Sequence, residues 1–115
     1  MSFRIFVGDS DNNLYALKPS ATNDEDRLVW QHLTGDTIYS SPTVSPDGKV
    51  VYVGSDDNNL YALETSKLAL KRVKWKFATE KGIDATPAVN ADGSTVYIAS
   101  YDKNIYAVTT GLGNV

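Results

Sequence analysis

The chain has 115 residues and a mass of 12.5 kDa, which is enough for one small domain with one hydrophobic core. Its 42% apolar and 22% charged residues exclude intrinsic disorder and collagen-like structure, and no apolar run approaches the roughly 20 residues of a transmembrane helix. The net charge of −3 gives no general attraction to nucleic acid or to an anionic membrane.

A tandem repeat runs through the sequence. Residues 5–17 read IFVGDSDNNLYAL and residues 51–63 read VYVGSDDNNLYAL, with nine of thirteen positions identical. Residues 96–108 read VYIASYDKNIYAV and match the second copy at seven of thirteen positions. A repeat of about 45 residues is a structural module. We therefore predict a single domain over residues 1–115, with repeat units 5–50, 51–95 and an incomplete unit 96–108.

Each unit contains short segments with strand character. Residues 51–55 and 60–63 are rich in β-branched and aromatic side chains, and the Asp and Asn residues between them favour a hairpin turn. Residues 74–77 alternate polar and apolar side chains, as in a strand with one buried face. The short segments 43–45 and 87–89 each lead into an Asp-Gly turn. The predicted turn residues are Asp47, Gly48, Asp92 and Gly93. No segment shows the apolar spacing of a helix over helical length.

Four short strands in about 45 residues indicate a β-propeller blade. We predict an all-β fold, a partial β-propeller of ten strands in antiparallel four-stranded blades, or about two and a half blades. With the strands of a blade labelled A to D from the centre outwards, the chain runs B-C-D, A-B-C-D, A-B-C. Residues that recur at matching positions are expected to pack in the core or between blades: Trp30, Trp75, Tyr15, Tyr61, Tyr106, Tyr52, Tyr97, Pro42 and Pro87.

The segments VYVGSDDNNLYAL, VKWKFAT and IDATPAVNADGSTVYIAS resemble the repeats of the pyrroloquinoline-quinone (PQQ)-type propeller family. That family includes quinoprotein dehydrogenases and non-enzymatic relatives such as the outer-membrane assembly lipoprotein. The resemblance covers residues 5–108, implies a propeller fold and is specific for the repeat rather than for an activity. The family usually links strands C and D through an Ala, a Thr-Gly pair and a Trp. Here Ala16–Trp30 and Ala62–Trp75 are longer and lack Thr-Gly, which only residues 107–111 retain.

The resemblance transfers no cofactor site to this chain. The enzymes of the family hold the quinone on the axis of a complete ring, with a calcium-type metal, a catalytic Asp and commonly a vicinal cysteine pair. This chain has no cysteine, and no position matches those residues. We therefore expect no cofactor, no metal and no catalytic residue, and the absence of cysteine also leaves the redox compartment open.

His32 and residues 9–13 are two other candidates for a functional site, and each also has a simpler structural explanation. His32 is the only histidine, so a Ser-His-Asp arrangement is conceivable, but a histidine on an outer strand is more often a surface residue. One histidine without cysteine does not make a zinc site. Residues 9–13 (DSDNN) match the first half of a calcium loop, but Leu14 and Ser20 stand where that loop needs Gly and Glu. The repetition of this segment favours hairpin turns.

The strongest charge cluster is basic. Residues 67–81 contain six of the eleven basic residues, beside Trp75 and Phe77. Such a strip can bind nucleic acid, but the alternation points Lys74 and Lys76 away from the aromatic side chains and favours a solvated edge strand. The acidic residues 23–26 occupy the equivalent linker of the first unit, and attraction between the two linkers would help to set how units or chains meet.

The number of blades bears on function, because propellers close as rings of about four to eight blades. Two and a half blades leave apolar faces and strand edges open. We expect a non-enzymatic scaffold or protein-interaction module, which either associates with copies of itself or is a fragment of a larger propeller. The alternatives are a fragment of a quinoprotein dehydrogenase and, more remotely, nucleic-acid binding through residues 67–81. No signal peptide is visible, so the chain is cytoplasmic by default and exported if it follows the family.

Overall fold

The computed structural model describes residues 4–111, apart from the side chains of Asp24 and Glu25. Its strands are β1 (Ile5–Gly8), β2 (Asn13–Leu17), β3 (Leu28–Leu33), β4 (Thr43–Val44), β5 (Val50–Gly54), β6 (Asn59–Glu64), β7 (Val73–Ala78), β8 (Ala88–Val89), β9 (Thr95–Ala99) and β10 (Ile105–Thr109). They form three antiparallel sheets, named here blade 1 (β1-β2-β3), blade 2 (β4-β5-β6-β7) and blade 3 (β8-β9-β10). The predicted all-β fold of a partial β-propeller is confirmed, with the strands in the predicted order.

One helical turn, α1 (Asp24–Arg27), lies in the linker between β2 and β3, where the sequence predicted no helix. The Asn23 side chain caps this turn by accepting a hydrogen bond from the Asp26 backbone N–H at 2.9 Å. A single turn is too short to show an apolar period, so periodicity does not reveal it. No helix in residues 4–111 combines the length and apolar character needed to cross a membrane.

The hairpin turns between β1 and β2, β5 and β6, and β9 and β10 share one backbone conformation. One residue of each turn is left-handed: Asn12 at φ 76°, Asn58 at 79° and Lys103 at 73°. Asparagine is enriched in this region because its short side chain bonds the nearby backbone. The turn aspartate adds a local bond, since Asp57 Oδ1 accepts from the Asn59 N–H at 3.0 Å. The repeated Asp-x-Asn motif therefore specifies the turn.

Blade 2 is the centre of the core because it is covered on both faces. Side chains of β5 and β6 alternate between those faces. Towards blade 1 the buried cluster consists of Val51, Val53, Tyr61 and Leu63 with Leu14, Ala16, Trp30 and Ile38. Towards blade 3 it consists of Val50, Tyr52, Leu60 and Ala62 with Ile83, Val96 and Ile98. Every residue of β5 is buried, which explains why this strand is an uninterrupted run of apolar and small residues.

Candidate interaction surface

The two tryptophans lie at the junctions between blades. Trp30 of blade 1 donates its Nε1–H to the Thr65 carbonyl of blade 2 at 3.0 Å. The Arg72 guanidinium of blade 2 lies over the Trp30 ring, 4.1 Å from its centroid. One blade further on, Trp75 Nε1 donates to the Thr110 carbonyl at 3.2 Å. Each indole thus joins a buried apolar contact to one specific hydrogen bond with the next blade.

An aspartate clamp accompanies each tryptophan junction. Asp57 accepts hydrogen bonds from the Tyr61 hydroxyl and, at 2.8 Å, from the Gly35 backbone N–H of the loop after blade 1. Burial, followed by the hydrogen bond to Asp57, raises the pKa of Tyr61 well above its usual value, so the hydroxyl stays a donor. Blade 3 repeats the arrangement with Asp102, Tyr106 and Glu80. The clamp ties the hairpin turn of one blade to the loop of the preceding blade.

The remaining recurrent residues differ in their contacts and in their burial. The Tyr15 hydroxyl bonds Asp11 within its own hairpin, and Tyr52 is buried with its ring centroid 5.8 Å from that of Trp75. Pro42 is half-buried. Pro87 is fully buried, and its carbonyl accepts from Thr43 Oγ1 at 2.6 Å.

The Asp-Gly turns share the left-handed glycine and the aspartate acceptor. Gly48 and Gly93 have φ of 76° and 77°, the region that favours glycine. The Asp47 carboxylate accepts from the Ser45 hydroxyl at 2.6 Å, and Asp92 accepts from the Ser94 hydroxyl at the same distance.

The outer faces of blades 1 and 3 carry apolar side chains that nothing in residues 4–111 covers. The leading face of blade 1 consists of Ile5, Val7, Tyr15 and Leu17. The trailing face of blade 3 consists of Tyr97, Ala99, Ile105 and Ala107. These are the same repeat positions that form the two buried faces of blade 2.

Exposure separates the outer faces from their buried counterparts. Val7 is 44% exposed, whereas its repeat equivalent Val53 is 0% exposed. Ile105 is 81% exposed, whereas the equivalent Leu60 is 0% exposed. Tyr97 is 45% exposed, in contrast to the buried Tyr52, so the expectation that every recurrent tyrosine packs between blades does not hold at this position. Contiguous exposed apolar faces of this kind mark interaction sites.

His32 differs from the surface position expected for it. Its ring is half-buried, with its centroid 5.9 Å from that of Tyr61. Burial lowers the pKa of His32 because the charged form loses its hydration. Its repeat equivalent Phe77 makes the same edge contact with Tyr106 at 5.5 Å. His32 therefore occupies a packing position between blades.

The basic strip lies mainly on exposed positions. Lys74 and Lys76 occupy the exposed side of β7, and Lys74 lies 4.0 Å from Glu64 Oε1. Lys67 and Arg4 line two adjoining grooves of about 620 and 450 Å³, the first beside residues 65–68 and the second beside the linker residues 18–26. The predicted attraction to the acidic residues 23–26 involves two side chains outside the described part, and it stays a prediction.

A pair of carboxyl groups lies where the turn between β5 and β6 meets the loop before β8. Asp56 Oδ1 and Asp84 Oδ1 are buried and accept no hydrogen bond as ionised groups. The hydrogen bond to Asp84, then burial, then the charges of Asp84, Asp36 and Asp57 raise the pKa of Asp56 to about 6. The protonated Asp56 carboxyl can donate to Asp84, which favours the neutral form of Asp56. In residues 4–111 no three or more His, Cys, Asp or Glu side chains converge as they would around a metal ion.

This pair predicts that mild acid stabilises the fold. The raised pKa of Asp56 means that its contribution is fully present below its ordinary value of 3.8 and is lost as pH rises through about 6. His32 acts in the opposite sense, because its lowered pKa costs stability as pH falls through 6.5. We therefore expect Asp56→Asn, which removes only the first effect, to raise the melting temperature at pH 7.5 and to raise it clearly less at pH 5.

Thermal denaturation of the parent chain and of Asp56→Asn at the two pH values checks the prediction. In either variant the new amide can donate to the remaining carboxylate, so Asp84→Asn is the matched control and should give the same result. An equal change in the melting temperature of Asp56→Asn at pH 5 and pH 7.5, or a loss at both, would contradict the raised pKa of Asp56.

Several contacts at the junctions were not identified from the sequence. The Asp-x-Asn-x-Tyr spacing of the aspartate clamp recurs at residues 11–15, 57–61 and 102–106, so its recurrence was available as a signal. Arg72 also had a signal, because the Arg-x-x-Trp spacing recurs at residues 27–30 and 72–75.

The similarity of the chain to known proteins is a similarity of fold. No protein-family model and no curated protein matches the chain. Among solved structures it is similar to the crystal structure of BamB from Moraxella catarrhalis, with a TM-score of 0.71 and 15% sequence identity over 95% of this chain. The chain spans 30% of the length of that protein. At this identity the similarity establishes the β-propeller fold, and a fold shared with 385 solved chains selects no single activity.

Proposed function

We propose that the chain is a non-enzymatic segment of a PQQ-like repeat propeller that acts as a protein-interaction scaffold and binds a second copy of itself through its outer blade faces. The observation that carries the proposal is the exposure of the leading and trailing faces. Their side chains occupy the repeat positions that are fully buried in blade 2, and Ile105 is 81% exposed where Leu60 is 0% exposed. Burying such a face against a partner is favourable by about 25 cal/mol per Å² of apolar area.

The two faces are complementary to each other rather than each to itself. The trailing face of blade 3 has the repeat positions that blade 2 presents to the blade after it. The leading face of blade 1 has the positions that blade 2 presents to the blade before it. A trailing face therefore fits a leading face, which gives a head-to-tail contact between copies.

The chemistry of the candidate residues supports a non-enzymatic role. His32 packs on Tyr61 in the place that Phe77 takes against Tyr106, so its position has a structural explanation. The carboxyl group of Asp84 is the main cause of the raised pKa of Asp56, so the pair also has an explanation in its packing.

Sedimentation velocity from about 1 µM to about 1 mM tests the proposal. We expect the mean mass to rise above 12.5 kDa with concentration. Val7→Glu blocks the leading face and Ile105→Glu blocks the trailing face, so each variant alone should stay monomeric. A mixture of the two should form a one-to-one pair, because one intact face of each kind remains.

Leu70→Glu is the matched control, since Leu70 is fully exposed in the linker and lies on neither face. It should associate like the parent chain. A constant mass of 12.5 kDa across the concentration range, or association that neither face variant changes, would overturn the proposal.

A further inference from the structure

The outer edge of β10 corresponds to the edge of β2 in blade 1 and the edge of β6 in blade 2, and both of those edges are paired. In blade 2 the last strand, β7, pairs antiparallel with β6, and in blade 1 β3 pairs in the same way with β2. In residues 4–111 no strand pairs with the corresponding edge of β10, since blade 3 has the order β8-β9-β10. An unpaired edge presents a row of backbone donors and acceptors to an incoming strand.

The two paired edges show the same pattern in register across their strands, an aromatic residue, an alanine and a tryptophan. Phe6, Ala16 and Trp30 are aligned in blade 1. Tyr52, Ala62 and Trp75 are aligned in blade 2. In both, the small alanine on the middle strand leaves room for the indole, which reaches across it to the aromatic ring two strands away, at 5.8 Å between centroids and an angle of 41° to 42°.

Blade 3 keeps the first two members of this set and exposes them. Tyr97 pairs with Ala107, as Tyr52 pairs with Ala62. Tyr97 is 45% exposed, whereas Tyr52 is 1% exposed. Two residues away, Ile105 corresponds to Leu60, which pairs with Phe77 in blade 2. The exposed triplet of Tyr97, Ala107 and Ile105 is thus a receptor surface for an indole and a second aromatic group.

The receptor strand is already held in place. Thr110, directly after β10, accepts the Trp75 Nε1–H through its carbonyl at 3.2 Å and donates its own hydroxyl to the Gly93 carbonyl at 2.6 Å. Its exposure is 3%. A strand fixed at one end needs little further ordering when a partner adds to its edge.

We propose that β10 is a strand-addition site that binds an extended segment of pattern Trp-x-aromatic, antiparallel to β10, with the Trp opposite Ala107 and its ring against Tyr97. The partner is a peptide segment supplied by another molecule, and main-chain bonds to the edge give affinity while the Trp gives specificity. This inference rests on the proposed role as a protein-interaction scaffold and names one partner for it.

The probe is a synthetic peptide of residues 72–81, RVKWKFATEK, which contains the strand that fills this position in blade 2. It is titrated into the full ¹⁵N-labelled chain and, in parallel, into the Val7→Glu chain, where head-to-tail association does not compete. We expect saturable shifts in the amide spectrum at residues 97 and 105–109. A peptide with serine in place of the tryptophan should bind at least about tenfold more weakly.

A receptor variant makes the register testable. Ala107→Leu fills the space for the indole at an exposed position, so it should weaken binding at least about tenfold without changing the melting temperature. Absence of saturable shifts at millimolar peptide, or equal binding by the serine peptide or by Ala107→Leu, would overturn the inference. Because the mass measurements use no peptide, association of the chain without peptide binding would overturn this inference alone, and peptide binding by a chain that stays monomeric would overturn only the self-association.

Discussion

Trp30→Ala is expected to lower the free energy of unfolding by about 3 to 5 kcal/mol, the usual cost of truncating a buried tryptophan. Trp30 is 8% exposed and belongs to the cluster that joins blades 1 and 2. The substitution also removes the hydrogen bond to the Thr65 carbonyl and the cation–π contact with Arg72. Urea denaturation measures the loss, and Trp75 then remains as the only tryptophan to report the other junction by fluorescence.

Trp30→Phe is the matched control for this substitution. Phenylalanine keeps an aromatic ring in the cluster but has no N–H for the Thr65 carbonyl, so we expect a loss of about 1 to 2 kcal/mol. A loss below about 1 kcal/mol for Trp30→Ala, similar to that of an exposed residue such as Leu70, would mean that the indole does not join the blades.

Gly54→Ala is expected to cost about 3 kcal/mol through overpacking. A Cβ at Gly54 would lie 2.3 Å from Ile83 Cγ2 and 2.7 Å from the Ile83 carbonyl oxygen. Both distances are too short for non-bonded contact, and the carbonyl cannot rotate away as a side chain can. The third repeat has Ala99 at the equivalent strand position, which shows that alanine suits the backbone there. The expected cost therefore comes from Ile83, and chemical denaturation measures it.

Two comparisons isolate the contact between Gly54 and Ile83. Ala99→Gly should cost no more than about 1 kcal/mol, because that strand position is exposed and no isoleucine covers it. The double variant Gly54→Ala with Ile83→Ala should lose less than the sum of the single losses, since removal of Ile83 Cγ2 relieves the shortest of the close contacts. Strict additivity would contradict the close approach.

The fold could be predicted because the same pattern of strand and turn residues recurs in three copies along the sequence. Matching copies of residues 5–17 identify strands, turns and their order without any long-range contact. The contacts between blades depend instead on residues that break the repeat. Position 56 is aspartate in the second copy but Ser10 and Tyr101 in the others, so no pattern indicates the carboxyl pair with Asp84.

The repeat also could not predict which of its side chains are exposed. Tyr52 and Tyr97 are the same residue at the same repeat position, yet one is buried and the other is open, because burial depends on whether a neighbouring sheet lies over it. The alignment of His32 with Phe77 was a signal for a packing position, which the interpretation of His32 as a surface residue did not use.

The double coverage of blade 2 has a consequence for how the molecule folds. Each outer blade contacts only its neighbour, so the stability of the array is close to a sum over individual repeats and the two interfaces between them. Blade 2 takes part in both interfaces, while blades 1 and 3 take part in one each. The middle repeat is therefore the natural folding nucleus, and the terminal repeats are the segments that fray first and reform on it as a template.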